Sequence, residues 1–288
     1  MLLYIIMNND MIITPLADDE GFADYPMDKF FNPVLPSIKR QKGTLTVILA
    51  ATNSGKTVLI NNLLFKFWRS KLKDKPTFDT IHFYSPTVYN DPSSRYFREY
   101  CEVGTRFTDE VLDNLIEEAN EYETEDRPRN MLIIDDHLGL IKSRGKSKIA
   151  SFFSRMRHYN YNCLISLQYY KDLHALLRPQ IANMVIMNVN SDKESLKLAE
   201  EMGGIYGGAK IFLEMLKYAT RDRYCFLYLK MRESPPEAYK NFTEKLDWQS
   251  KLQNTKTVFD SDSTFRNDDI SDDDNKDDIK DDDKYNKK

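Results

Sequence analysis

"ILAATNSGKTVLINNLLFKFW" (residues 48–68) joins three local signals in one unbroken segment. The β-branched, apolar run that opens it, "TLTVILA" (44–50), predicts a strand. The run that closes it, residues 56–68, carries Leu59, Leu63 and Phe67 at i, i+4 and i+8, the apolar stripe of a helix. Between them Ala50, Gly55, Lys56 and Thr57 occupy the four fixed positions of the phosphate-binding pattern G-x-x-x-x-G-K-[ST], with alanine where the first glycine usually stands. Each position has a chemical reason. Gly55 lets the backbone turn its N–H groups toward a phosphate without a Cβ in the way, and Asn53 and Ser54 complete that turn. Lys56 can reach the β- and γ-phosphates of ATP, and the Thr57 hydroxyl can ligate Mg²⁺. Asn53, Ser54, Gly55, Lys56 and Thr57 are therefore the expected nucleotide-binding residues. Alanine at position 50 is small enough for the less crowded end of the loop.

A site of this kind needs a second, acidic strand, and "NMLIIDDHL" (130–138) supplies one. Met131 to Ile134 form a short continuous apolar run, the pattern of a strand buried on both faces of a parallel sheet. Asp135 follows where a carboxylate can hold Mg²⁺, and Asp136 where one can orient or deprotonate an attacking water. Aspartate is one methylene shorter than the glutamate more common in that second role, so the water must approach more closely or be relayed.

The 288 residues suffice for one α/β domain of about 200–250 residues with extensions. The expected division is an N-terminal extension over 1–40, a nucleotide-binding domain over 41–250 and an acidic, disordered tail over 251–288. From Asp260 to Lys288 twelve aspartates face six lysines and arginines, a net charge of −6 within a chain total of −4. A segment so poor in apolar residues cannot bury enough surface to offset its ordering entropy. The remainder is close to neutral, so any DNA contact must come from local clusters. Cys101, Cys163 and Cys225 have no paired spacing, which argues against a zinc site or a disulfide framework. The opening "MLLYIIM" is far shorter than the ~20 apolar residues that span a bilayer, so no membrane span is expected.

Further strand and helix signals alternate along the chain. Strands are expected at 78–86, 162–168, 183–189 and 223–231, and helices at 108–123, within 142–160 and at 192–204. Thr108 is the expected N-cap of the first helix, with Val111, Leu112, Leu115 and Ile116 on its apolar face. Such alternation implies a mostly parallel sheet with helices on both faces. Tyr159, Tyr161, Tyr169 and Tyr170 read as packing residues, and His137 and His158 as structural or surface residues.

"NCLISLQ" (162–168) ends in Gln168, at the strand edge where open α/β sheets bind ligands. An amide there can bond both a γ-phosphate and the attacking water. Eleven residues upstream, "SRMRHYN" holds Arg157. The set A-x₄-GKT, apolar-DD and R-x₁₀-Q resembles the FtsK–HerA superfamily of ring-forming DNA-pumping ATPases. "FFNPVLPSIKRQKGTLTVILAATNSGKT" and "FFSRMRHYNYNCLISLQYYKDLHALLRPQIANMVIM" resemble, more narrowly, the virion DNA-packaging ATPases of poxviruses, other large DNA viruses and virophages, over roughly residues 26–232. The resemblance implies a P-loop NTPase with a RecA-like sheet, ATP and Mg²⁺ as cofactors, and double-stranded DNA as partner. It implies a homo-oligomeric ring, a hexamer, that docks on capsid or portal-vertex proteins where virions assemble in the host cytoplasm, with the virion itself a second location. Carried onto matching positions, Lys56 and Thr57 bind nucleotide and metal, Asp135 binds Mg²⁺ and Asp136 polarises water. Gln168 is the sensor, and Arg157 is an arginine finger for a neighbouring subunit, with Arg155 the alternative.

Lys142, Arg144, Lys146 and Lys148 follow the acidic strand and could touch DNA phosphates or form an ordinary solvated loop. Two other classes stay open at this point. A small-substrate kinase shares the loop but needs a lid, which the sequence does not display. A non-enzymatic assembly protein with a vestigial loop would tend to lose one of Lys56, Thr57, Asp135 and Asp136, and all four are present.

Overall fold

The computed structural model describes residues 43–64, 78–124, 126–137, 148–189 and 191–250. In chain order the strands are β1 (Leu45–Leu49), β2 (Thr80–Tyr84), β3 (Glu102–Gly104), β4 (Asn130–Asp135), β5 (Tyr161–Leu167), β6 (Ile181–Ile186), β7 (Leu227–Lys230), β8 (Glu237–Lys240) and β9 (Glu244–Lys245). The α-helices are α1 (Lys56–Asn61), α2 (Arg95–Tyr100), α3 (Asp109–Asn120), α4 (Lys148–Arg155), α5 (Asp192–Met202) and α6 (Ala209–Ala219). One sheet has the order β3-β2-β4-β5-β1-β6-β7-β8-β9. Pairing is parallel from β3 through β6 and antiparallel from β6 to β9. The expected α/β architecture with a mostly parallel sheet is present.

β1 is the centre, with β5 on one side and β6 on the other. All residues of β1, β4, β5 and β6 are buried, as strands covered on both faces must be. Alternate residues Ile48, Ile133, Leu164 and Val185 form one cluster with Leu59, Ile60, Leu63 and Leu64, the apolar side of the helical segment that begins as α1 and continues in a wider turn to Leu64. Each such side chain contributes about 1.5–3 kcal/mol when fully buried, so the loop between β1 and α1 is clamped from both sides. Phe67, the third member of the predicted stripe, lies outside the described residues. Phe83 of β2 stacks on Phe97 of α2 with ring centroids 3.9 Å apart.

Local chemistry sets the helix boundaries. The Thr108 side chain accepts from Val111 N–H, 3.3 Å, and caps α3 as expected. Ser191 caps α5 through Glu194 N–H, and Gly203 stands at its C-cap. One expectation needs correction. The strand drawn over 223–231 is confined to Leu227–Lys230, because Asp222–Cys225 form a tight turn closed by Cys225 N–H to the Asp222 carbonyl, 3.1 Å. The run before it was apolar enough to mimic a strand. The antiparallel β8 and β9, and the helix α6, were not anticipated. No helix among the described residues is long and apolar enough to cross a membrane.

Candidate functional site

The parallel strands β1, β4 and β5 deliver their C-terminal ends to one edge of the sheet, and three predicted motifs meet there. Leaving β1, Ala50 N–H donates to the Leu167 carbonyl and Ala51 N–H to the Asn188 carbonyl, both at 2.9 Å. Ala50 is fully buried in the core cluster and adopts no left-handed conformation. It does not need glycine's freedom, which explains the departure from the usual pattern. The turn tightens beyond it. Asn53 has φ 61° and Gly55 φ 90°, and Ser54 Oγ donates to the Ala51 carbonyl at 2.6 Å. Asn53 tolerates the left-handed region better than most side chains, and glycine tolerates it best. Lys56 and Thr57 then open α1.

Lys56 is nearly buried, and a buried ammonium must be paired. Its Nζ lies 2.8 Å from Asp136 Oδ1 and 3.5 Å from Asp135 Oδ1. Asp135, at the end of β4, is 4 % exposed. It accepts a bond from Ser85 Oγ at 3.2 Å and another from Ser166 Oγ, which orient the carboxylate from the residue after β2 and from β5. Asp136 turns out of the strand with φ 52°, a conformation aspartate tolerates, and its N–H donates to the Ser166 carbonyl at 3.3 Å. That turn sends its carboxylate to the loop side, where its Oδ2 accepts from Gln168 Nε2 at 3.3 Å. Gln168 Oε1 in turn lies 3.5 Å from Thr52 Oγ1 on the loop. Lys56, Asp135, Asp136 and Gln168 therefore form one continuous polar chain from three strands. Ser85, Ser166 and Thr52 also belong to it, and no sequence pattern marked them. A serine at a strand end carries no signal until the register aligns Ser166 with Asp135.

The oxygen donors suit a hard divalent cation such as Mg²⁺: the Thr57 hydroxyl in the first turn of α1, and the Asp135 carboxylate, with solvent or substrate oxygens completing the shell. Among the described residues there is no cluster of three or more His, Cys, Asp and Glu that could hold a metal alone. A cation shared with phosphate oxygens needs no such cluster. His137 follows Asp136 and is buried. Burial pushes its pKa down against the opposing pull of Asp135 and Asp136.

Arg157 lies elsewhere. A Cβ on Gly43 would meet the Arg157 Cβ at 2.4 Å, so the arginine sits beside the entry to β1. The loop lies at the other end of that strand. Arg157 also precedes β5, whose seven residues span about 20 Å at ~3.3 Å each before reaching Gln168. No arginine side chain covers that distance. Arg157 is exposed and has no carboxylate partner among the described residues. Arg232 shares its edge, donating to the Gln180 carbonyl at 2.9 Å, and burial together with the Arg157 charge lowers its pKa. Arg155 is tied to Ser151 Oγ at 3.0 Å within α4. Of the basic stretch, residues 142–147 lie outside the described residues. Lys148 is paired with Asp113 at 2.6 Å, which joins α4 to α3 and raises the lysine pKa. Tyr161 and Tyr170 are buried, and Tyr159 stacks on Phe152, so these aromatics are packing residues as expected.

The family model of the Poxvirus A32 protein matches residues 37–229, about two thirds of the chain and the whole of this site. The chain belongs to that family. The poxvirus-type resemblance read from the sequence therefore holds at the level of this family, and the chain is a P-loop ATP hydrolase. The fold agrees. It is similar to B204, the DNA-packaging ATPase of Sulfolobus turreted icosahedral virus, at a TM-score of 0.52 and 15 % identity, over 69 % of this chain and 98 % of that one. It is likewise similar to the genome-packaging NTPase B204 of Sulfolobus turreted icosahedral virus 2 in complex with AMP, at a TM-score of 0.50 and 15 % identity, over 70 % and 98 %. No match was found among curated proteins.

Proposed function

We propose that this protein hydrolyses ATP to drive double-stranded DNA into a viral capsid, working as a homo-oligomeric ring of the hexameric kind in which each site is finished by its neighbour. The observation that carries the reading is the pairing of Asp136 with both Lys56 (2.8 Å) and Gln168 (3.3 Å). A carboxylate suited to activating water, an ammonium suited to binding phosphate and an amide suited to sensing it are in direct contact. A triphosphate entering the loop competes with Asp136 for the Lys56 ammonium, which frees the carboxylate to orient water. Gln168 then carries the change into β5. Asn53, Ser54, Gly55, Lys56 and Thr57 hold the phosphates. Asp135 and Thr57 hold Mg²⁺, which when bound offsets charge on the β- and γ-oxygens.

Arg157 belongs to the same reading. It is an exposed cation without a carboxylate partner among the described residues, at the edge opposite its own loop, so it acts on the site of the next subunit and stabilises charge on the transferred phosphoryl group. The ATPase domain is residues 41–250, between an N-terminal extension and the acidic tail. Capsid or portal-vertex proteins are the docking partners, at assembly sites in the host cytoplasm.

The test is phosphate release with and without double-stranded DNA. DNA should raise the wild-type rate, and added salt should reverse the gain because phosphate contacts are screened. Lys56→Ala should abolish turnover in both conditions. Wild-type turnover by Lys56→Ala would remove the site. A rate indifferent to DNA and salt would remove the translocation reading while leaving the ATPase.

A further inference from the structure

The Asp222–Cys225 turn does something that its place in the fold does not require. It is tied down at its start, where Asp222 pairs with the buried Lys240 at 3.0 Å, and at its close, where Cys225 N–H bonds back to the Asp222 carbonyl at 3.1 Å. Within it Tyr224 adopts φ 67°, a left-handed backbone that a bulky aromatic residue rarely takes and that glycine would adopt without strain. Strain of this kind in a fixed turn is a recurrent feature of ligand clamps. Its result here is specific. The Tyr224 ring is brought against the phosphate-binding loop, with Cδ1 3.2 Å and Cε1 3.7 Å from where a Cβ on Gly55 would stand. Met187 Cε, at the end of β6, lies 3.9 Å from the same point.

The ring is not there as core. Tyr224 is 43 % exposed, whereas the next residues, Cys225 to Leu229, are all buried. The Arg223 guanidinium lies 4.7 Å from the ring centroid, which stiffens the ring by cation–π contact. A half-exposed, arginine-backed aromatic surface next to a loop that takes a triphosphate is suited to the flat, apolar part of the same ligand. We propose that Tyr224 is the nucleobase-stacking residue of the site, with Arg223 holding its ring in place, so that the turn recognises an aromatic nucleoside rather than a triphosphate alone. The proposal rests on the nucleotide reading of the loop. It adds the ligand's base to a site whose other residues address only phosphate and metal.

The experiment compares two probes on the full chain, Mg-ATP and inorganic tripolyphosphate with Mg²⁺, by calorimetry. Tyr224→Leu should weaken ATP at least about ten-fold, in line with the worth of one base–aromatic stack, and leave tripolyphosphate affinity within about two-fold. Tyr224→Phe should restore ATP binding to near the wild-type value, which guards against a merely misfolded turn. Equal loss of both probes in Tyr224→Leu would make the tyrosine a brace for Gly55 and overturn the proposal, as would no loss of either. Failure of the underlying nucleotide reading has a different signature, because the wild-type protein and Lys56→Ala would then bind neither probe.

Discussion

Asp135 and Asp136 are adjacent in sequence but differ in environment, and the difference fits the two tasks proposed for them. Asp135 is 4 % exposed and bonded to Ser85 and Ser166, so it is fixed as a ligand should be. Asp136 leaves the strand through a left-handed turn and is shared between Lys56 and Gln168, so it can change partners. Asp136→Asn keeps the size and loses the base. It should bind Mg-ATP and turn it over about 10²–10⁴-fold more slowly, the usual worth of general-base catalysis. Asp135→Asn should weaken metal-dependent nucleotide binding as well, read as a higher Mg²⁺ requirement. Full phosphate release by both variants would contradict the division of roles. At position 50 the reading of the loop was right for a partial reason. Alanine is accepted because the residue directly follows β1, bonded to Leu167 and packed in the core.

The strands that carry the site were legible because they are buried on both faces and end in polar residues with recognisable spacing. β1 and β4 fall within the segments expected for them, β5 lies one residue earlier than the expected 162–168, and the Thr108 cap was visible as a threonine before an amphipathic run. The antiparallel edge was not legible. β8 is "EAYK", a short polar strand following a proline pair, and pairing with β7 rather than composition makes it a strand. α6 carried a signal that could have been used, since Ile211, Phe212, Met215, Leu216 and Ala219 have helical spacing and are all buried. Tyr224 was hidden because its turn lies inside an apolar run. The segment holding Arg157 makes its own prediction. Gly43 has φ 76°, and a Cβ there would stand 2.4 Å from the Arg157 Cβ and 2.6 Å from its Cα. Gly43→Ala should impose about 1–3 kcal/mol of strain and displace the arginine. Turnover should fall toward that of Arg157→Ala, with ATP affinity, measured by calorimetry, kept. Unchanged turnover in a folded Gly43→Ala protein would show that the arginine's position is unimportant.

Taken as a molecule, the sheet separates the two halves of its chemistry. The loop, both aspartates and Gln168 stand at the C-terminal edge of the parallel strands, while Arg157 and Arg232 stand at the opposite one. Under the proposed function, a chain built this way holds its phosphate loop at one end and, at the other, an arginine with no carboxylate partner among the described residues, and copies arranged head to tail would bring the two together. The measurement that tests this most directly is phosphate release by mixed variants. Arg157→Ala alone should bind ATP about as well as wild type and hydrolyse it ~10³-fold more slowly, and Lys56→Ala alone should be inactive. Mixed under conditions where shared assemblies are demonstrated, the two should recover part of the wild-type rate, because some interfaces then join an intact loop to an intact arginine. A mixture as inactive as its components would contradict the sharing of sites between subunits.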